Sequence, residues 1–304
     1  MPPKPRIKRP SRQFSPAQRQ RRSFARPDPA IGYEVRRLGP FDSSSTANSS
    51  NEPTPPEPTK DENDLIPSGY WVTEIKKRLG KCIMFGCSRG QARKIADVLQ
   101  ELTTEWRDLT AASAGFLTAG NSGFVDQKLA FGETASWGYI SNANYFRFVE
   151  SSRVNWLTHF ASVDPKHANE WRELMMTRGP SLIMQSFRAS YKFPLKFPDT
   201  VSAYHKLQTL PTAKDKLLFM NSIVISHKQM RVAAATRETA ILYNHNIHQR
   251  IAIPPFMLNV FQDIWRQQEE TEKRARQRIV ELTRSIRKFE KQIWDKEGAV
   301  EDMG

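Results

Sequence analysis

FGETASWGYISNANYFRFVESSRVNWL, spanning Phe131 to Leu157, decides how this chain is read. It has the pattern of a strand end, a short glycine-bearing loop around Gly138, and a helix opening in Ser and Asn from about Asn142. Tyr145, Val149, Trp156 and Phe160 fall on or near one face of that helix. A loop feeding a helix N-terminus presents backbone N–H groups, the geometry that polarises a carbonyl or holds an anion.

Working outward, Phe124 to Phe131 alternates as a strand ahead of the loop. From Ser181 the period falls to two. Leu182–Tyr191, Val201–Leu210, Lys216–His227 and Met230–Asn244 read as successive strands, with turns at Pro194–Asp199, Pro211–Asp215 and His227–Gln229. Arg250-Ile251-Ala252-Ile253-Pro254-Pro255 closes the set. The expected class is α+β, an antiparallel meander around one long helix.

Two helical regions flank this core. Trp71, Ile75 and Leu79 mark one helix, and Ser88 is a credible N-cap for a second carrying Ile95, Val98, Leu99, Leu102 and Trp106. Beyond Pro255 a charged helix runs to about Trp294, and its Ile279, Leu282, Ile286, Phe289 and Ile293 keep coiled-coil spacing. That seam suits either a partner helix for residues 256–294 or docking on its own domain. The expected domains are a basic tail and Pro/acid-rich linker (1–64), a helical extension (65–123), the core domain (124–255) and the terminal helix (256–304).

The net charge is +14, which invites a nucleic-acid reading. Lys4 to Arg26 alone holds nine Lys or Arg and no acid, so the tail explains much of the excess, and nucleic acid is not expected as a partner except through the basic tail. The tail, too poor in large aliphatic residues to build a core, is expected to be disordered. Its Arg- and Ser-rich, acid-free character fits a mitochondrial presequence, although its prolines interrupt an amphipathic helix; KPRIKRP fits a nuclear signal or a basic arm in a nuclear or cytoplasmic protein. No stretch has the apolar length of a membrane span. Cys82 and Cys87 alone make neither a disulfide framework nor a metal site, and no cofactor is implied.

The Phe131–Leu157 segment resembles that of hotdog-fold acyl-CoA thioesterases (the 4-hydroxybenzoyl-CoA thioesterase-like group), W-G-(D/E)-x-D-x-x-G-H-V-N-N-x-x-Y-x-R-(W/Y)-x-E-x-(A/S)-R. Gly132, Glu133, Gly138, Asn142, Tyr145, Arg147, Glu150 and Arg153 fall in register. Ala135 stands where the family has its catalytic Asp, and Tyr139 where it has His. The block from Lys81 to Gly120 is also similar to one in a fungal branch of thioesterase-like proteins. The resemblance implies a hotdog fold, an antiparallel sheet wrapped around a central helix, and a homodimer or larger assembly. It also implies an acyl-CoA ligand held at Gly138, Tyr139, Asn142 and Asn144.

Thioester hydrolysis needs a polarised carbonyl and a carboxylate that attacks or activates water. With Ala135 in place, the substitutes are Glu133 and Glu150, each of which also suits a structural role: Glu150 and Arg153 have the spacing of an i,i+3 ion pair. Asn142 and Asn144 suit either helix capping or a ligand carbonyl. Lys192, Lys196, Lys228 and Arg231 are the cations near strand ends available to coenzyme A phosphates. A competing class rests on Gly86-Cys87-Ser88-Arg89-Gly90, which matches a hydrolase nucleophile elbow, with Asp164, Asp199 or Asp215 and His227 or His245 to complete a triad. The absence of alternating β-α units after Ser181 argues against it. Two functions follow: a thioesterase-like protein with weakened or absent catalysis, or a catalytically inactive hotdog scaffold, mitochondrial or ribosome-associated.

Overall fold

A computed structural model describes residues 69–120 and 122–295. The basic tail and linker expected over 1–64 lie outside the described residues. Helices α1 (Trp71–Met84) and α2 (Arg89–Ala112) precede strand β1 (Gly123–Lys128), and a 3-10 turn, Phe131–Glu133, leads through the loop into helix α3 (Asn142–Val163). After the short α4 (Ala168–Glu173) come β2 (Pro180–Tyr191), β3 (Thr200–Leu207), β4 (Leu217–Ser226), β5 (Arg231–Asn244), the two-residue β6 (Gln249–Arg250) and the long α5 (Pro255–Ile293).

Every strand pairing is antiparallel, in the order β1-β3-β4-β5-β2, with β6 added beside β5. Gly123 sits where β1 meets β3 so closely that a Cβ would lie 2.7 Å from Tyr204 Cδ1 and 2.8 Å from the Ala203 carbonyl. The curled sheet holds α3 against its inner face, an α+β hotdog fold extended by α1, α2 and α5.

Alternation along the strands builds two layers. On the inner face, Val201 and Ala203 with Phe148 and Val149 form one apolar cluster near the start of α3. Leu207, Leu218, Met220, Ala240 and Leu242 with Trp156, Leu157 and Phe160 form a second near its end. On the outer face Tyr204, Ile223 and Ile225 meet Ile75, Leu79, Leu102 and Trp106 from α1 and α2. Ile279, Leu282 and Ile286 of α5 complete this outer cluster. The seam with coiled-coil spacing therefore faces the chain's own helices, and a bidentate Arg78–Glu290 contact (2.7 and 2.6 Å) locks α1 to α5.

The two inner clusters are separated by a buried polar layer. Glu238 on β5 accepts from Arg153 Nη1 (2.9 Å), lies 3.0 Å from His205 Nε2, and accepts from the Thr236 hydroxyl (3.0 Å). His205 Nδ1 lies 3.0 Å from Ser152 Oγ, which donates to the Ala203 carbonyl (2.9 Å). Burial pushes the Glu238 carboxyl up, but His205 and Arg153 outweigh it and hold it at about 2.

Candidate functional site

The loop before α3 is a small hairpin. Gly138 N–H donates to the Ala135 carbonyl (2.9 Å) and Ala135 N–H to the Tyr139 carbonyl (2.7 Å), closing a turn that Gly138 completes at φ 73°. Ile140 N–H donates to the Leu195 carbonyl (2.9 Å), tying the hairpin to the segment between β2 and β3. Tyr145, from the first turn of α3, accepts from Leu195 N–H (2.9 Å) and holds the same segment from the other side.

Ser141, and neither Asn142 nor Asn144, occupies the N-cap position of α3. Asn144 Nδ2 donates to Ser141 Oγ (3.0 Å) and to the Glu133 carbonyl (2.9 Å), so it stitches loop to helix. Asn142 is exposed and has no hydrogen bond through its side chain among the described residues. Of the loop amides able to polarise a carbonyl, Gly138 N–H is consumed by the turn. Tyr139 N–H makes no hydrogen bond among the described residues. Tyr139, with Lys196 Nζ 4.8 Å from its ring centre, is partly exposed beside the start of α3.

Neither candidate carboxylate is free. Glu133 accepts from Ala130 N–H (2.8 Å) through one oxygen and is ion-paired with Arg147 through the other, its side chain only 13% exposed. Glu150 lies on the open side of α3, 52% exposed, 3.5 Å from Arg153 Nη2. Ala135 offers no oxygen. The loop tip is an apolar surface: Trp137 is 86% and Phe131 73% exposed, and Phe131 meets Phe197 edge to face.

Of the cations expected to gather for phosphates, only Lys196 reaches this loop. Arg231 stacks over Tyr70 and Phe193, the Lys228 ammonium contacts the Pro198 carbonyl, and Lys192 belongs to the outer sheet face. The elbow alternative fails on geometry. Ser88 Oγ accepts from Gln91 N–H (3.3 Å) and Gln91 Oε1 from Ser88 N–H (2.8 Å), a capping box. The apolar run before it is the end of α1, not a strand. His227 bonds Ser202 and His245 bonds Ser181, while Asp164, Asp199 and Asp215 bond His167, Ser226 and Thr212.

Residues 129–261 match the family model of the thioesterase-like superfamily. This segment belongs to that superfamily. Among solved structures, the chain is similar to a Thermus thermophilus thioesterase complexed with coenzyme A and Zn (14% identity, 49% of this chain and 98% of that one, TM-score 0.37). It is also similar to a DHNA-CoA thioesterase from Staphylococcus aureus (12%, 49% and 92%, 0.36). A third is a probable thioesterase from Escherichia coli (15%, 45% and 94%, 0.36). At these identities and scores the likeness carries nothing about substrate. No curated protein matches the chain. The matched stretch begins just after β1 and runs into α5, and α1 and α2 lie outside it.

Proposed function

We propose that this thioesterase-like protein binds an acyl-CoA thioester at the hairpin and α3 N-terminus, with hydrolysis weakened or lost. The observation that carries the reading is the state of Glu133. Its carboxylate is spent on Ala130 N–H and Arg147, beside a position, Ala135, that has no acid. The Tyr139 N–H and the first turn of α3 remain to receive a carbonyl oxygen, which supports binding without a base for water. The reading includes a homodimer. β2 is a twelve-residue edge strand, with Ile183 and Tyr191 exposed along it, and pairing with a second copy would satisfy that edge.

The test is a panel of acyl-CoAs offered to the native protein and to Ala135→Asp, following both binding and hydrolysis. Native protein is expected to bind with turnover near background, and the substitution to raise turnover about 100-fold, the low end of what a positioned base supplies. Efficient native turnover abolished by Glu133→Gln or Glu150→Gln would overturn the reading, since a substitute acid would then exist. If no acyl-CoA binds, the scaffold reading takes its place. The exposed Phe131 and Trp137 favour that second reading, and co-sedimentation with mitochondrial ribosomes checks it.

A further inference from the structure

The outer face of the sheet carries a row of cations, most of them without an acid partner among the described residues. Register places Arg188 of β2 directly opposite Arg237 of β5, Arg237 opposite Asn221 of β4, and Asn221 opposite Lys206 of β3. One line of side chains thus crosses four strands in the order Arg, Arg, Asn, Lys. They project from the face opposite α3, since their neighbours His205 and Glu238 point inward. Ser190 and Lys192 continue the same face of β2, and all six residues line one open cavity of about 500 Å³, with Ala114 and Phe116 also in its lining.

Like charges directly opposed on adjacent strands destabilise a sheet. Arg188, Lys192 and Arg237 have no carboxylate partner among the described residues. Lys206 donates to the Ala114 carbonyl (2.5 Å) and has Glu272 as its nearest countercharge, so it is partly compensated. Between the cations, the Asn221 amide oxygen is buried without a hydrogen-bond partner. An Asn amide offers either its NH₂ or its oxygen to a ligand.

We infer that this outer-face cavity binds a small phosphorylated molecule, a phosphate monoester or diphosphate, through Arg188, Arg237 and Lys192 with Asn221 at its floor. Three uncompensated cations call for more than the single charge of a carboxylate, and paired guanidinium forks suit phosphate oxygens. The open cavity is large enough for a small molecule. The inference is independent of the thioester reading, because the cavity lies on the other side of the sheet from α3.

The experiment titrates full-length protein with inorganic pyrophosphate, and separately with inorganic phosphate, at ionic strength held constant with chloride, reading heat of binding and midpoint of thermal unfolding. Pyrophosphate is expected to bind and to raise the midpoint more than chloride does. In Arg188→Gln/Arg237→Gln its affinity should fall at least about tenfold, while the midpoint in chloride alone stays level or rises as the repulsion is relieved. Asn221→Ala, which keeps every charge, should weaken pyrophosphate and leave the response to chloride unchanged. A pyrophosphate response that persists in the double variant comes from elsewhere in the chain and overturns the assignment. Equal responses to pyrophosphate and chloride overturn it too, as does binding of a short single-stranded RNA that the double variant loses without any pyrophosphate response.

Discussion

Replacing Glu238 by Gln removes the charge at the centre of the buried polar layer while keeping its shape and most of its hydrogen-bonding capacity. The carboxyl is held at about 2 against an ordinary 4.5, a difference worth about 3 kcal/mol of stability at neutral pH. The substitution also leaves Arg153, itself buried, with only the half-exposed Glu150 as a carboxylate partner, and breaking a buried pair from one side costs about 3–5 kcal/mol. A loss of about 3–4 kcal/mol at pH 7 is therefore expected in urea unfolding followed by circular dichroism and tryptophan fluorescence. The sign in acid follows from the depressed value. Stability contributed by Glu238 is complete above the unfolded value of 4.5 and drains away as pH falls toward 2, so the gap between native and variant proteins should narrow across that window. A gap under about 1 kcal/mol at pH 7, or one that stays constant from pH 5 to the acid limit, would refute the claim that His205 and Arg153 stabilise an ionised Glu238.

Other consequences are sharper in direction than in size. Leu282→Ala, in the layer joining α5 to α1 and α2, is expected to cost about 2–5 kcal/mol by denaturant titration and to leave the oligomeric state unchanged in light scattering. Ser88→Ala should lose about 1 kcal/mol through the capping box and change no ester or thioester turnover; a loss of activity would revive the elbow. Arg147→Ala breaks a half-exposed ion pair, so global stability should move by less than about 1 kcal/mol, while amide exchange across 130–141 should speed up as Glu133 loses its anchor.

The parts of the fold visible in the sequence were those with a strong period. Alternation over Leu182–Tyr191 and Met230–Asn244 anticipated β2 and β5 to within two residues, and the Tyr145/Val149/Trp156/Phe160 stripe anticipated α3. The α4 helix escaped because six residues after Pro165 carry too little periodicity, although Trp171 on it is fully buried. The polar layer escaped for another reason. Ser152, His205 and Glu238 are far apart in sequence, and only register brings them together. A weak signal was present: Val201, Ala203, His205 and Leu207 alternate inward, as do Ala234, Thr236, Glu238, Ala240 and Leu242, so each strand carries a polar group at a position that apolar neighbours mark as core. At the candidate site, sequence located the loop but not its hydrogen bonds. The Glu133–Arg147 pairing depends on how a 3-10 turn folds back on the helix, and the use of Gly138 N–H depends on the turn closing at Ala135.

Several residues that match the thioesterase-like string hold this loop and helix in place, which bears on what such a match can mean. Tyr145 fixes Leu195, Glu133 and Arg147 clamp the 3-10 turn to α3, Gly138 takes the left-handed turn, and Arg153 neutralises Glu238 inside the core. Tyr145, Glu133, Arg147 and Gly138 keep the hairpin against the helix, and Arg153 keeps the buried layer paired, whether or not a thioester is ever cleaved. Tyr139 and Ala135 both depart from the string; the Ala135 methyl group leaves the turn intact because the turn is closed by backbone atoms. A matched string of this kind therefore reports that the hotdog scaffold is conformationally complete. Chemistry has to be argued from the side chains that the scaffold does not require. On the proposed reading Ala135→Asp is a small physical change: the proposed site already has its turn, its Tyr139 N–H and its helix terminus, and would gain the carboxylate it lacks.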